Sequence, residues 1–257
     1  MAPGLIGPAS TAQTMTYCVG ICVKTGLVFA SDSRTNAGVD NVSEYSKMYS
    51  FGIPGRCQYI LCAAGNLATT QGVVGRIERD IREETEPNLL SHSSVPDAAA
   101  YLGQISLAQQ AKNTGGGPVF EATFLLGGEV LGARCRLFMV YPAGNYIESS
   151  NQTPYLQVGE SKYGKPILDR VVTSTTSLEE AALCALVSME ATIKSNLTVG
   201  APVELQSYVA GSLNPGRYTS FPADSQYWRQ LRKSWNTQVR TAFTHLPPVD
   251  WNESDNA

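Results

Sequence analysis

The stretch Thr16-Tyr17-Cys18-Val19-Gly20-Ile21-Cys22-Val23, then Lys24-Thr25-Gly26, then Leu27-Val28-Phe29-Ala30-Ser31-Asp32-Ser33-Arg34, reads as two short apolar strands joined by a tight turn. A hydroxyl residue opens the first strand directly after Met15, an acid closes the second, and Lys47 follows a little further on. A hydroxyl is a weak nucleophile until a base stands beside it. Histidine, the usual base, is almost absent. His92 lies in the polar run Leu90-Ser91-His92-Ser93-Ser94 and His245 precedes Pro247-Pro248, so both read as solvated loop residues. Neither context supplies the acid-held imidazole of a Ser-His-Asp triad, and there is no Gly-x-Ser-x-Gly elbow. A chain that starts at Thr16 needs no histidine, because its own α-amine can take the proton.

Composition narrows the function classes. With 257 residues, 43% hydrophobic and 16% charged, the chain is long and apolar enough to bury a sizeable core. A net charge of −3 and the lack of a Lys/Arg stripe disfavour nucleic-acid binding. No apolar run approaches the roughly 20 residues that cross a bilayer. Met1 to Pro8 has neither a basic start nor a continuous apolar stretch, so it does not read as a secretory signal, and a cytoplasmic location is the default expectation. Without such a signal, the Asn-x-Ser/Thr triplets at Asn41, Asn151, Asn196 and Asn252 read as chance matches. Six scattered cysteines form no C-x-x-C pair, and two histidines are too few to complete a zinc site, so no metal or other cofactor is expected. Cys18 and Cys22, four apart on one strand, share a face and read as core or lining residues.

Residues 1–15 lack periodicity and are rich in Pro, Gly, Ala, Ser and Thr. They read as a disordered leader, a pro-segment or a misassigned start, with residues 16–257 forming a single domain. After the first hairpin a Gly/Asn-rich connection runs from Thr35 to Ser43. Lys47 to Phe51 and Tyr59 to Ala64 follow as strands. Asn66 to Glu84 has apolar Val73, Val74, Ile77 and Ile81 at helical spacing, and a second helix begins near Val95. Phe120 to Leu126 and Cys135 to Tyr141 read as strands separated by Gly127-Gly128-Glu129. Tyr146 to Glu148 and Tyr155 to Val158 are shorter ones. A helix is expected from Glu160 to Val172, and another from Ser177 to Lys194 behind the capping box Ser177-Leu178-Glu179-Glu180. A last strand, Val203 to Ala210, precedes a polar helix from about Asp224 to Phe243. Strands and helices come in separate runs, which predicts an α+β fold.

Thr16, Asp32 and Lys47 in that order resemble the start of a proteasome-type β subunit. Ala63-Ala64-Gly65-Asn66-Leu67-Ala68 resembles the small-residue turn whose glycine N–H binds the oxyanion there, with Gly65 as the match. The resemblance spans roughly Thr16 to Gly211. Met15-Thr16-Tyr17-Cys18-Val19-Gly20-Ile21 and Gly159-Glu160-Ser161-Lys162-Tyr163-Gly164-Lys165 are most similar to the bacterial Anbu (ancestral β subunit) group. The chain departs from the wider pattern in three places. Ala68-Thr69 stands for the usual Ala-Asp, Gly159-Glu160-Ser161 stands for Gly-Ser-Gly, and the positions of a supporting Asp and Ser fall near Asn196 and Val199.

The resemblance implies the four-layer αββα sandwich of N-terminal-nucleophile hydrolases. It also implies a self-compartmentalising threonine peptidase with Thr16 as nucleophile, Lys47 and Asp32 as its charge pair and Gly65 as oxyanion donor. Peptide or protein substrates, assembly into a ring or related homo-oligomer, and a separate ATPase unfoldase are the partners it implies. Two other readings stand beside it: an N-terminal-nucleophile amidase that uses the same residues on small amides, and a catalytically silent structural ring subunit in which residues 1–14 stay attached and bury or displace Thr16.

Overall fold

In the computed structural model, residues 16–36, 42–112 and 117–251 are described. The opening hairpin forms as expected. Strands β1 (Tyr17–Val23) and β2 (Gly26–Asp32) pair antiparallel, with Cys18 opposite Ser31 and Val23 opposite Gly26. A short ribbon follows, β3 (Arg34–Asn36) with β4 (Val42–Glu44), inside the segment read as a plain connection. Next come β5 (Met48–Ile53) and β6 (Cys57–Gly65), then helices α1 (Leu67–Arg82) and α2 (Val95–Ala111). Asn66 caps α1 by accepting from the Thr69 N–H, and Ser94 caps α2.

The middle supplies β7 (Ala122–Val130), β8 (Arg136–Val140), β9 (Tyr146–Glu148) and β10 (Tyr155–Gly159). Helices α3 (Lys165–Val171) and α4 (Leu178–Ser195) lead to β11 (Val203–Val209), β12 (Arg217–Phe221) and α5 (Gln226–Thr244). The Ser177–Glu180 capping box at α4 is formed in both directions.

Two five-stranded antiparallel sheets result, ordered β10-β1-β2-β11-β12 and β5-β6-β7-β8-β9. Period-two alternation sends successive side chains to opposite faces, and here both faces are covered. From β1 and β2, Tyr17, Val19, Ile21, Val28 and Ala30 pack under α3 and α4 against Leu168, Ala185 and Met189. The intervening Cys18, Leu27 and Phe29 meet Ile60, Cys62, Leu125 and Leu137 of the second sheet. On that sheet's far side Tyr59, Leu61, Phe124 and Leu126 pack against Val73, Ile77, Ala98 and Leu102 of α1 and α2. Helices, sheet, sheet, helices: the layering is the expected αββα sandwich. Cys18 and Cys22 both face the inter-sheet layer.

Four expectations need correction. Gly127-Gly128-Glu129 makes no turn, because β7 runs through it to Val130. A Cβ on Gly127 would stand 2.7 Å from the Phe29 ring, and one on Gly128 would stand 2.4 Å from the Tyr59 ring. These glycines let aromatic rings lie on the strand; they do not bend it. The helix expected from Glu160 begins only at Lys165, since Gly159 at φ +81° ends β10 in a turn. Strand β12 went unread because its Arg217-Tyr218-Thr219-Ser220 run is polar and exposed at a sheet edge. His92 is half-buried against the Tyr101 ring, at 5.2 Å between centroids, and is not a solvated loop residue. The Gly115-Gly116 end of the α2 unit and the leader 1–15 lie outside the described residues.

Close approach of the sheets at Gly127 makes a sharp test. Gly127→Ala forces a methyl into the Phe29 ring and should cost about 1–3 kcal/mol. Gly75→Ala, in open space within α1, should instead add about 0.5–1 kcal/mol. Denaturant melts of both variants check this; a shift in the same direction for the two would contradict it.

Candidate active site

The hairpin register sets Tyr17 across from Asp32 and leaves Thr16 at the entry to β1, 5% exposed. The Tyr17 N–H donates to Asp32 Oδ1 at 3.1 Å, so residue 16 is fixed immediately beside that carboxylate. The Thr16 carbonyl accepts from the Glu160 N–H at 2.7 Å. This last contact is close enough to require glycine next door, since a Cβ on Gly159 would fall 1.8 Å from the Thr16 oxygen.

Lys47 precedes β5, and its carbonyl accepts from the Ala63 N–H of β6 at 2.9 Å. Its ammonium reaches back to the other sheet. Nζ lies 2.7 Å from Asp32 Oδ1 and 2.6 Å from the Arg34 carbonyl oxygen. Both side chains are buried, 8% and 0% exposed. Lys47, which in isolation reads as solvated, is thus an interior cation. Burial pushes the Asp32 carboxyl up from its ordinary value; the Lys47 ammonium and the N–H groups of Tyr17 and Gly200 pull it back. The Gly200 N–H reaches Asp32 Oδ2 at 3.3 Å. Arg34 supports that loop, donating to the Leu197 carbonyl at 2.9 Å.

Gly65 ends β6 opposite Ala122, at φ +117°. A Cβ there would lie 2.4 Å from the Glu121 carbonyl oxygen, so both conformation and space demand glycine. Two residues earlier, the Ala63 carbonyl accepts from Cys18 Sγ at 3.8 Å, which ties the Gly65 end of β6 to the Thr16 end of β1. The pair Asp32–Lys47 is therefore in direct contact. Thr16 adjoins it through the backbone, and Gly65 stands at the neighbouring strand end.

Asn196 and Glu160 meet as well. Asn196 Nδ2 donates to Glu160 Oε2 at 2.9 Å, and the Thr198 N–H and hydroxyl bond Asn196 Oδ1. Lys162 lies 3.3 Å from Glu160 Oε1. Ser161 contributes its carbonyl to Gln157 Nε2 at 3.2 Å. The 196–200 loop thus braces Thr16 through Glu160 and Asp32 through Gly200.

One residue escaped the sequence reading. Glu204 on β11, 3% exposed, accepts from Ser31 Oγ and Ser33 Oγ at 3.2 Å each, from Ser46 Oγ at 2.7 Å, from the Lys47 N–H at 3.3 Å and from Tyr218 OH at 2.7 Å. Burial, then this hydrogen bond, pushes the Tyr218 phenol up to about 12. In sequence Glu204 looks like one polar member of an alternating strand. Its donors come from three separate segments, around residues 31–33, 46–47 and 218, which no local pattern reveals.

A cavity of about 260 Å³ opens elsewhere, between α1 and α2, lined by Arg76, Asp80, Glu86, Tyr101 and Gln104. It contains none of the residues around Thr16. Among the described residues no helix is long and apolar enough to cross a membrane.

Removing one partner of a buried ion pair strands the other. Asp32→Ala should therefore lose about 3–5 kcal/mol, and Asp32→Ala with Lys47→Met should be more stable than Asp32→Ala alone. Chemical denaturation of the cycle decides this; a double variant less stable than either single one contradicts it.

Comparison with known proteins places this geometry. The profile of the proteasome subunit family matches residues 13–206. Anbu (ancestral β-subunit) from Yersinia bercovieri is 41% identical, covering 91% of this chain and 100% of its own, with a TM-score of 0.88. The Anbu complex from Pseudomonas aeruginosa, solved as a helical assembly, is 40% identical over 93% of this chain and 100% of its own, with a TM-score of 0.88. Anbu from Hyphomicrobium sp. strain MC1 is 40% identical over 91% and 100%, with a TM-score of 0.84. No curated protein matches the chain.

Proposed function

This chain belongs to the proteasome subunit family, alongside Anbu proteins, and from that premise we propose that it is a threonine-type N-terminal-nucleophile peptidase. The observation that carries the reading is the buried Lys47–Asp32 pair joined to the residue after Thr16 by the Tyr17 N–H. Interior ions are costly to a fold, so a pair set beside a strand-opening threonine and at the meeting of two sheets fits a chemical task.

In this reading the bond between Met15 and Thr16 is cut, and the freed α-amine becomes the base. An α-amine titrates near ~7.7–8.0 in isolation. The Lys47 ammonium favours its neutral form by charge repulsion, and Asp32 keeps that ammonium oriented. Thr16 Oγ gives its proton to the amine and attacks the substrate carbonyl carbon. The Gly65 N–H receives the developing oxyanion. The amine proton then goes to the leaving amine, which departs and leaves an ester on Thr16. Water, deprotonated by the same amine, cleaves that ester and restores the hydroxyl. Gly159, Glu160 and Asn196 hold the Thr16 backbone while this happens.

Peptides and unfolded proteins are the proposed substrates. Self-association would enclose the site, as suits a peptidase in the cytoplasm. The Pseudomonas aeruginosa relative, solved as a helical assembly, supports an oligomer here. A separate ATPase would supply unfolding.

Intact mass and turnover of a short peptide-amide probe test the proposal together. The mature chain should begin at Thr16. Thr16→Ala should fold normally and lose turnover by at least ~10³-fold, whereas Thr16→Ser keeps a hydroxyl and retains measurable rate. Full turnover by Thr16→Ala at unchanged Tm overturns the nucleophile. An uncut chain without turnover favours the structural-subunit reading.

A further inference from the structure

We propose that Glu204 is a positioning residue that clamps together the two segments carrying the Asp32–Lys47 pair. The inference rests on the reading that this pair serves Thr16. Ser31 and Ser33, which flank Asp32 on either side, both donate their hydroxyls to Glu204 Oε2 at 3.2 Å. From the other sheet, Ser46 Oγ donates to Oε1 at 2.7 Å and the Lys47 N–H to Oε2 at 3.3 Å. Four of its five hydrogen bonds thus come from residues at or next to the two members of the ion pair. One carboxylate gathers the end of β2 and the approach to β5, which belong to different sheets.

The chemistry favours a clamp over a proton carrier. Every hydrogen bond to its two carboxylate oxygens is donated by a partner, four hydroxyls and one N–H, so both oxygens are engaged in holding neighbouring segments. At 3% exposure Glu204 has no open path to a substrate. Its effect passes through the position of Lys47. The Arg34 carbonyl and Asp32 hold the ammonium itself, and without Glu204 the Ser46 hydroxyl and the Lys47 N–H that set its backbone would lose their shared acceptor. A misplacement of about 1 Å in such a group can cost on the order of 10²-fold in rate.

Glu129 is a built-in control. It is also buried, at 7%, and accepts from Tyr208 OH and the Gly211 N–H at 2.8 Å each and from Cys135 Sγ at 3.1 Å. It sits near the end of β7 away from Gly65, which pairs with Ala122. Glu129→Gln therefore removes a comparable buried charge remote from the pair.

The experiment compares the wild type with Glu204→Gln and Glu129→Gln, all below their melting temperatures. Two quantities are read: kcat and KM on a peptide-amide probe, and the rate at which acetic anhydride labels Lys47, followed by mass spectrometry against an exposed lysine. For Glu204→Gln, kcat should fall by ~10- to 100-fold with KM within about twofold, and Lys47 labelling should rise at least about fivefold. Glu129→Gln should leave both near wild type even where its Tm falls. Unchanged Lys47 labelling in Glu204→Gln overturns the clamp, as does an equal rise in Glu129→Gln. If the wild type proves inactive, the peptidase reading fails on turnover, and the labelling contrast still decides the clamp.

Discussion

A buried ammonium must be paired, and the pairing of Lys47 with Asp32 dictates how the two halves of this fold meet. Asp32 closes a strand of one sheet and Lys47 enters a strand of the other, so their 2.7 Å contact bridges the sandwich. Neither charge can be withdrawn singly at tolerable cost in a low-dielectric interior. Everything around the pair keeps it together. The N–H groups of Tyr17 and Gly200 complete Asp32, the Arg34 carbonyl completes Lys47, and Glu204 gathers their neighbours. Polar saturation of this kind lets charges remain ionised where water is excluded.

The packing beneath the pair follows a different rule, one of small residues at close contacts. Gly20, Gly127 and Gly128 face aromatic or leucine side chains at distances that leave no room for a methyl group. Phe29 fills the space against Gly127, which lets the sheets close upon each other and brings β1 toward β6. At the Thr16 end, Gly65 and Gly159 adopt left-handed conformations and approach neighbouring carbonyls. Glycine is therefore used twice: to let layers touch, and to turn the chain around Thr16.

Much of this was legible because it rests on local chemistry. Ser177 with Glu180 three residues on announces α4, and Asn66 before an apolar 3-4 repeat announces α1. Tyr17 to Asp32 reads as a hairpin because apolar strands flank a Gly turn, and that hairpin alone brings Asp32 to the start of β1. What stayed hidden depends on partners distant in sequence. Gly127 and Gly128 look like a turn until Phe29 and Tyr59 are laid on them. Glu204 looks like a solvent-facing strand residue until Ser31, Ser33, Ser46 and Tyr218 converge on it. Helix α3 starts late because Gly159 must first turn the chain past the Thr16 carbonyl.

We propose that a hydroxyl at position 16, served by its own amine, is the nucleophile. Incubation with a peptide β-lactone, which opens by transferring its acyl group to a hydroxyl, tests it most directly. Peptide mapping by mass spectrometry should find one ester per chain, on an N-terminal Thr16, and Lys47→Ala should suppress it. An ester on another residue, or none on a chain whose N-terminus is Thr16, would contradict the account.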